Sequence, residues 1–419
     1  MVSVPIVRKR NMSNLDQVLK IYHHKIPSFL VPFFKSEELN RIDEVGMHCG
    51  MEYTSFPFYK DFDKYSRFEH SLGVALIVYH FTHDEKMTLA GLFHDIATPS
   101  FAHVIDFLKG DHDKQEATEE RTSLLIKRDD VIQEELAKLH LKTSDVDDYH
   151  LYPIADNDSP RLSADRLEYT LHNLYNYQFA SLEEIQELYD DLKVTLNEEG
   201  VEELAFQHQN IAKKFTLLTL KNSHIYVTDE DRYGMEYLAR MLKRQIEKGI
   251  LTEDDLYTTE KEVIIKLLSN KESKEDWLDF RSLSKIKKEE TPSSNTSYKI
   301  SSKKRFINPL VIDKGRISKL DKEVDNAIRS FLEESFDYYI DQSHWKRALQ
   351  QCSALFHVSN CNLLFFREDN SPTVVDVTDA VIIEADIDGV IFLLVTLEDE
   401  LRIILGVVES SLFNRGIDI

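Results

Sequence analysis

Three His-Asp pairs occur in the chain, His83-Asp84, His94-Asp95 and His112-Asp113. The first sits among polar residues at a helix end and the last in the loop KGDHDKQE, so both read as solvated. His94-Asp95 differs because it follows the apolar run LAGLF. Ionisable side chains in a buried helix are unfavourable by several kcal/mol unless paired or metal-bound. His70, in RFEHSLGV, poses the same question from another apolar helix, beside Gly73, which lets neighbouring backbone approach. Two histidines and an adjacent aspartate make a mixed nitrogen and oxygen donor set. Such a set suits Mn, Fe, Ni, Zn or Mg rather than a soft thiolate site. Asp165, near the start of ADRLEYTL, adds a second carboxylate. Successive helix positions diverge by about 100°. His94 and Asp95 can therefore straddle one ion while His70 and Asp165 close it from other helices. Taken singly, each histidine also reads as a hydrogen-bonded core residue and each aspartate as a cap. Together, their order and context point to one divalent cation.

The elements that must position these residues are helical. SRFEHSLGVALIVYHFTHD contains no proline and is apolar around much of its circumference, which predicts a buried helix. MTLAGLFHDIA predicts a second, ended by Pro99, and SFAHVIDFLKG a shorter third, stopped at Gly110. Ser163 is placed to cap the helix ADRLEYTLHNLYNY, and Ser181 with Glu184 has capping-box spacing before SLEEIQELYDDLKVTL. Helical periodicity continues through 201–250. The expected organisation is a mostly α helical bundle over residues 1–280, a flexible basic loop at 281–305 and a helical extension at 306–341. A small α+β appendage follows at 342–419. The loop, RSLSKIKKEETPSSNTSYKISSKKR, is Ser/Lys-rich and poor in apolar residues, and reads either as solvated or as an anion-binding flap. In the appendage, Asp388-Gly389 splits two β-branched runs as a hairpin turn would.

Composition narrows the partners. The 74 acidic and 51 basic side chains leave a formal charge of −23, a field that disfavours extended nucleic acid and anionic membranes. A small anion needs only a local site where a metal and a few arginines outweigh that field. Three cysteines, Cys49, Cys352 and Cys361, form no CxxC pair, which excludes a thiolate zinc site and a disulfide framework and fits a reducing compartment. The N-terminal MVSVPIVRKRNMSN lacks the apolar run of a signal peptide, and no stretch approaches a membrane span. A cytoplasmic protein is expected.

RFEHSLGV, then AGLFHD, then SADRLEY resemble the H…HD…D signature of the HD-domain metal-dependent phosphohydrolases. Among them the chain is most similar to the deoxynucleoside triphosphate triphosphohydrolase-like branch. The resemblance is dense over about residues 40–180. It implies that His70, His94, Asp95 and Asp165 are the metal ligands and that Arg67 and Arg166 contact phosphate. It also implies that Tyr169 faces the substrate, and that His103 and Asp106 match conserved-type positions after the His-Asp pair. The substrate it implies is a nucleotide or similar small phosphoester, and homo-oligomers are common in that family.

Two departures stand out. Where that branch continues HD-LGHGPFSH, this chain has HDIATPSFAH, so Thr98 replaces one expected histidine, and Thr118 corresponds to the next. The HDxGK motif of second-messenger phosphodiesterases is also missing. The expected chemistry is hydrolysis at phosphorus, with the ion, Arg67 and Arg166 neutralising charge. His103 is read as general acid or orienter, its tautomer held by Asp106 one turn away. Each arginine also reads as an ion-pair partner, with Glu69 and Glu168 near in sequence, and Tyr169 also reads as core packing. The competing reading from another class is a non-catalytic metal- and nucleotide-binding sensor.

Overall fold

The computed structural model describes residues 17–60, 62–105 and 116–342, together with six strands between 355 and 403. The chain divides into two compact units, Met1–Gln342 and Ser343–Ile419.

The first unit is mostly helical, as its composition demands. It opens with α1 (Gln17–Tyr22) and α2 (Glu37–Asp43). The next helix, α3 (Arg67–Thr82), starts from a capping box in which Ser66 and Glu69 satisfy each other's backbone donors, and it is buried almost without interruption from Arg67 to Val78. It stops at His83, whose φ of 51° lies in the left-handed region. Asp84 then caps α4 (Glu85–Phe93). The helix predicted to run through Ala97 ends four residues early, and His94–Ala97 form a turn, closed by Ile96 N–H on Phe93 O and Thr98 N–H on Asp95 O. Arg41 of α2 holds that turn by donating to the carbonyls of Ile96 (2.5 Å) and Thr98 (2.9 Å).

Two helices, α5 (Glu116–Arg128) and α6 (Asp130–Lys138), precede α7 (Ala164–Asn176), which Ser163 caps as its sequence predicts. Helix α3 packs on both α4 and α7. At Gly73 a Cβ would lie 2.5 Å from the Glu168 side chain, so glycine there makes room for a carboxylate of α7 rather than for backbone. Apolar residues of α1, α3, α4 and α7 belong to one large core, with residues from α8 (Leu182–Asp190) and from α9 (Gln209–Ile225). A second core gathers Met51, Phe56, Phe101 and the helices α10 (Asp229–Glu247), α11 (Glu260–Ser269) and α12 (Lys271–Arg281).

Two further expectations are corrected in this unit. The helices predicted to run on from Ser181 and through 201–250 are interrupted by strands β1 (Leu192–Leu196) and β2 (Glu202–Phe206), paired antiparallel. Gly200, at φ 76°, and the Asn197 side chain, which accepts from the N–H groups of Glu199 and Val201, close the hairpin. Parallel pairing of β2 with β4 (Leu310–Val311) and antiparallel pairing of β4 with β5 (Gly315–Arg316) complete a four-stranded sheet. The segment 281–305 is not a featureless loop. Its β3 (Ile286–Glu289) pairs with β6 (Tyr339–Gln342), and Ile300 is buried. Its hydroxyl-rich stretch serves a buried charge: Ser294 and Thr296 donate to Asp341 at 2.6 and 2.9 Å. Polarity that reads as solvation in sequence is spent on satisfying a buried carboxylate.

In the second unit the described residues are strands only. Four form an antiparallel sheet in the order β12 (Glu400–Ile403), β11 (Val390–Leu397), β10 (Ala380–Ile387), β7 (Leu355–Val358), and β8 (Cys361–Phe366) pairs with β9 (Pro372–Val377). Asp388-Gly389 lies outside the described residues, but Ile387 and Val390 on either side are paired. Among the described residues, no helix is long and apolar enough to cross a membrane.

Candidate metal centre

The four side chains singled out by spacing meet at one point. His70 Nε2 is 3.1 Å from His94 Nε2, 3.1 Å from Asp165 Oδ1 and 3.9 Å from Asp95 Oδ2. His94 Nε2 is 3.6 Å from Asp95 Oδ2 and 3.7 Å from Asp165 Oδ1. Donor atoms about 2.1 Å from a common ion are separated by about 3.0 Å in a cis octahedral pair and about 3.4 Å along a tetrahedral edge. The observed separations fall in and just beyond that range. Donors of His70, His94 and Asp95 all lie within 4.8 Å of one another, and Asp165 joins them through the two imidazoles.

The outer ring nitrogens decide what the inner ones can do. His94 Nδ1 lies 2.7 Å from Gly91 O, one turn back along α4, and so donates to it. His70 Nδ1 is 2.5 Å from the Glu168 carboxylate and donates likewise. In the neutral form both rings would therefore present bare Nε2 lone pairs to each other at 3.1 Å. Only a cation placed between them, a proton or a metal ion, relieves that opposition, so the donor set fits a divalent metal.

Glu168 in turn is set by two further side chains. The Tyr65 hydroxyl donates to its Oε2, and His172 lies 3.4 Å from its Oε1 while stacking on the Tyr65 ring at 3.7 Å. Burial alone would raise the Glu168 pKa, but His172 and His70 hold it below its ordinary value. Asp95 is likewise disfavoured by burial, yet His94, Arg67 and His70 keep it far below the usual carboxylate range. Burial would lower His70, and its bonds to Asp165 and Glu168 instead raise it to about 10 in the absence of an ion. The imidazoles are sealed, at 1% and 3% exposure, whereas Asp95 and Asp165 are 19% and 21% exposed. The carboxylate side is where a small molecule can approach.

The remaining predicted residues divide. Arg67 is buried, donates to Asp95 at 2.9 Å and leaves its Nε without a partner. Its ion-pair partner is thus Asp95, while Glu69 is occupied in the capping box. Arg166 is directed into the loop before α7: it donates to Arg161 O at 2.7 Å, to Asn157 and to Asp156 at 3.0 Å. Glu168, considered as its partner, serves His70 instead. Tyr169 has its ring centroid 6.4 Å from that of His70, and its pKa is raised to about 12 by burial and Asp165. His103 is exposed beyond a turn in which Phe101 and Ala102 both have positive φ. Asp106 and the Thr118 side chain lie outside the described residues. Thr98 donates to Asp95 Oδ1 at 3.0 Å, holding the carboxylate that Arg67 grips from its other oxygen.

Several participants were missed by sequence reasoning: Arg41, Tyr65, Tyr149, Glu168 and His172. Glu168 carried a usable signal, lying one helical turn after Asp165 and so on the same face of α7. Tyr149, whose ring centroid is 5.2 Å from that of His94, opens a single 3-10 turn, Tyr149–Leu151, too short for any periodicity to announce it.

The chain is 28% identical over 209 residues to YdhJ, an uncharacterised protein of Bacillus subtilis, covering 49% of this chain and 62% of that one. It is 25% identical over 199 residues to cns2 of Cordyceps militaris, a metal-dependent phosphohydrolase by name, covering 46% and 55%. It thus spans less than two thirds of the length of these curated relatives. Two solved structures share the fold at TM-scores of 0.51. One is a hypothetical protein from Aquifex aeolicus, at 17% identity over 78% of this chain and 95% of that one. The other is a phosphohydrolase from Bacteroides thetaiotaomicron, at 13% identity over 76% and 97%. The family model that matches is the HD domain, over residues 67–168, a span that begins at Arg67, ends at Glu168 and includes all four converging side chains. Residues 67–168 of the chain are thus similar to the HD domain, and the four converging side chains lie within that matched span.

Proposed function

We propose that this chain is a metal-dependent phosphohydrolase acting on a small phosphoester, with His70, His94, Asp95 and Asp165 holding one divalent ion. The observation that carries this reading is the pair of buried imidazoles with both Nδ1 atoms committed and both Nε2 atoms facing each other at 3.1 Å. When bound, a divalent ion supplies Lewis acidity and acidifies a water molecule for attack on phosphorus. The chain's own residues do the rest. Glu168 holds His70 in the tautomer that offers Nε2, while Arg67 and Thr98 fix Asp95 from its two oxygens. Arg67 adds a buried positive charge beside the reacting phosphate. The nearly sealed histidine side excludes water, and the partly open carboxylates admit the substrate.

The substrate class implied by the resemblance is a nucleotide, with deoxynucleoside triphosphates the finer proposal on the strength of RFEHSLGV, AGLFHD and SADRLEY. One observation favours the sensor reading beside it: Thr98 spends its hydroxyl on a metal-ligand candidate and offers no ring nitrogen for proton transfer. Metal analysis of the purified protein, then a nucleotide and phosphoester panel with Mn, Mg, Ni and Co, tests both. Steady turnover abolished by Asp95→Ala supports the enzyme. Inorganic triphosphate as product identifies the triphosphohydrolase chemistry, and orthophosphate a monoesterase. Nucleotide binding without product supports the sensor, and absence of both metal and binding defeats the proposal.

A further inference from the structure

Resting on the phosphoester reading above, we infer that Tyr149 is a substrate-contacting residue whose phenol donates a hydrogen bond to an anionic oxygen of the ligand held at the metal centre. The geometry begins with its ring, which packs on His94 with centroids 5.2 Å apart. Asp165, Asp156, Asp95 and the opposing Arg166 all lie near enough to act electrostatically on its hydroxyl, and the carboxylate side of the centre is the partly exposed one. No hydrogen bond among the described residues uses that hydroxyl. By contrast the neighbouring phenols of Tyr65 and Tyr152 are committed, to Glu168 and to Asp145 O. Tyr169 lies near the same centre, its ring centroid 6.4 Å from that of His70.

The loop that carries Tyr149 is built to hold its place. Ala164 N–H and Asp165 N–H, at the start of α7, donate to Ile154 O and Ala155 O. Arg166 reaches Asp156, Asn157 and Arg161 O, and Ser163 donates to Asp156 at 3.1 Å. The helix that supplies Asp165 therefore also fixes the loop that supplies Tyr149. Arg166 is a positioning residue for that wall. A phenol is a donor at neutral pH and, unlike the surrounding carboxylates, is attracted to a phosphate oxygen.

The test uses the full chain loaded with Mn, inorganic phosphate as probe, and titration calorimetry beside metal analysis. Tyr149→Phe keeps the ring on His94 and removes only the hydroxyl. It is expected to weaken phosphate binding about tenfold, the scale of one hydrogen bond to a charged group, with bound metal unchanged. Tyr149→Leu, which also removes the ring packing, is expected to lose metal as well. Unchanged phosphate affinity in Tyr149→Phe, while wild type binds phosphate, overturns this inference alone. Loss of metal in Tyr149→Phe overturns it too, because the hydroxyl would then serve the ligand shell. Failure of metal-loaded wild type to bind phosphate overturns the phosphoester reading and this inference with it.

Discussion

At the scale of single residues, the centre depends less on the four converging side chains than on what holds their far ends. Glu168 is fully buried and takes the Nδ1–H of His70, and removing such a partner weakens metal binding without touching a ligand. Glu168→Gln is expected to fold and to bind Mn about ten- to a hundredfold more weakly, read by competition with a chelator. Equal affinity would mean that His70 is oriented by packing alone. A different buried carboxylate sets a pH dependence. Burial pushes Asp231 up to about 7, and the Tyr59 hydroxyl donates to it at 2.8 Å. A carboxyl raised in the fold is neutral there while the unfolded chain is already ionised. Its contribution is therefore full below about pH 4, the ordinary aspartate value, and is lost as pH rises to about 7. Asp231→Asn keeps an acceptor for Tyr59 and removes the titration. Its melting temperature is expected to exceed that of wild type by more at pH 8 than at pH 4, and a gap independent of pH would refute the assignment.

At the scale of elements, the decisive contact is α3 on α7 at Gly73. A Cβ there would stand 2.5 Å from Glu168 Cγ and Oε1, and that carboxylate has no space to retreat in a buried site. Gly73→Ala is expected to destabilise the protein by about 1–3 kcal/mol through overpacking, and to lower metal content because Glu168 is pushed from His70. Calorimetry and metal analysis read the two effects separately. Full metal content with wild-type stability would show that α3 and α7 can shift apart. The short turn after α4 is the second device. Ending the helix at Phe93 frees the backbone at His94–Asp95 to turn the carboxylate beside the imidazole, and Arg41 pins the carbonyls that the turn leaves exposed.

At the scale of the whole molecule, a charge of −23 surrounds a centre whose own residues include two carboxylates, so a bound cation relieves local as well as global repulsion. A ligand that binds only the folded chain raises its stability by mass action. Chelation is therefore expected to lower the melting temperature of metal-loaded protein, and Mn to restore it. No shift in either direction would place the metal outside the folded core. The division after Gln342 predicts that a chain ending there keeps its metal, since every residue discussed at the centre lies before it.

The two apolar helices, the cap at Ser163 and the order His70, His94-Asp95, Asp165 were legible because periodicity, caps and dipeptides are local signals. The strands at 192–206 and the paired segment at 286–300 were not, because charged and hydroxyl residues look alike whether they face water or a buried carboxylate such as Asp341. One dimension of sequence determined which residue types stand where helices will bury them. Only the tertiary structure decided that Arg67 grips Asp95, that Arg166 turns to the loop, and that Glu168 fits under Gly73. The first and last of these depend on distances between chain segments 28 to 98 residues apart, set by how helices pack, whereas the turn of Arg166 is decided by the local path of the loop just before its helix.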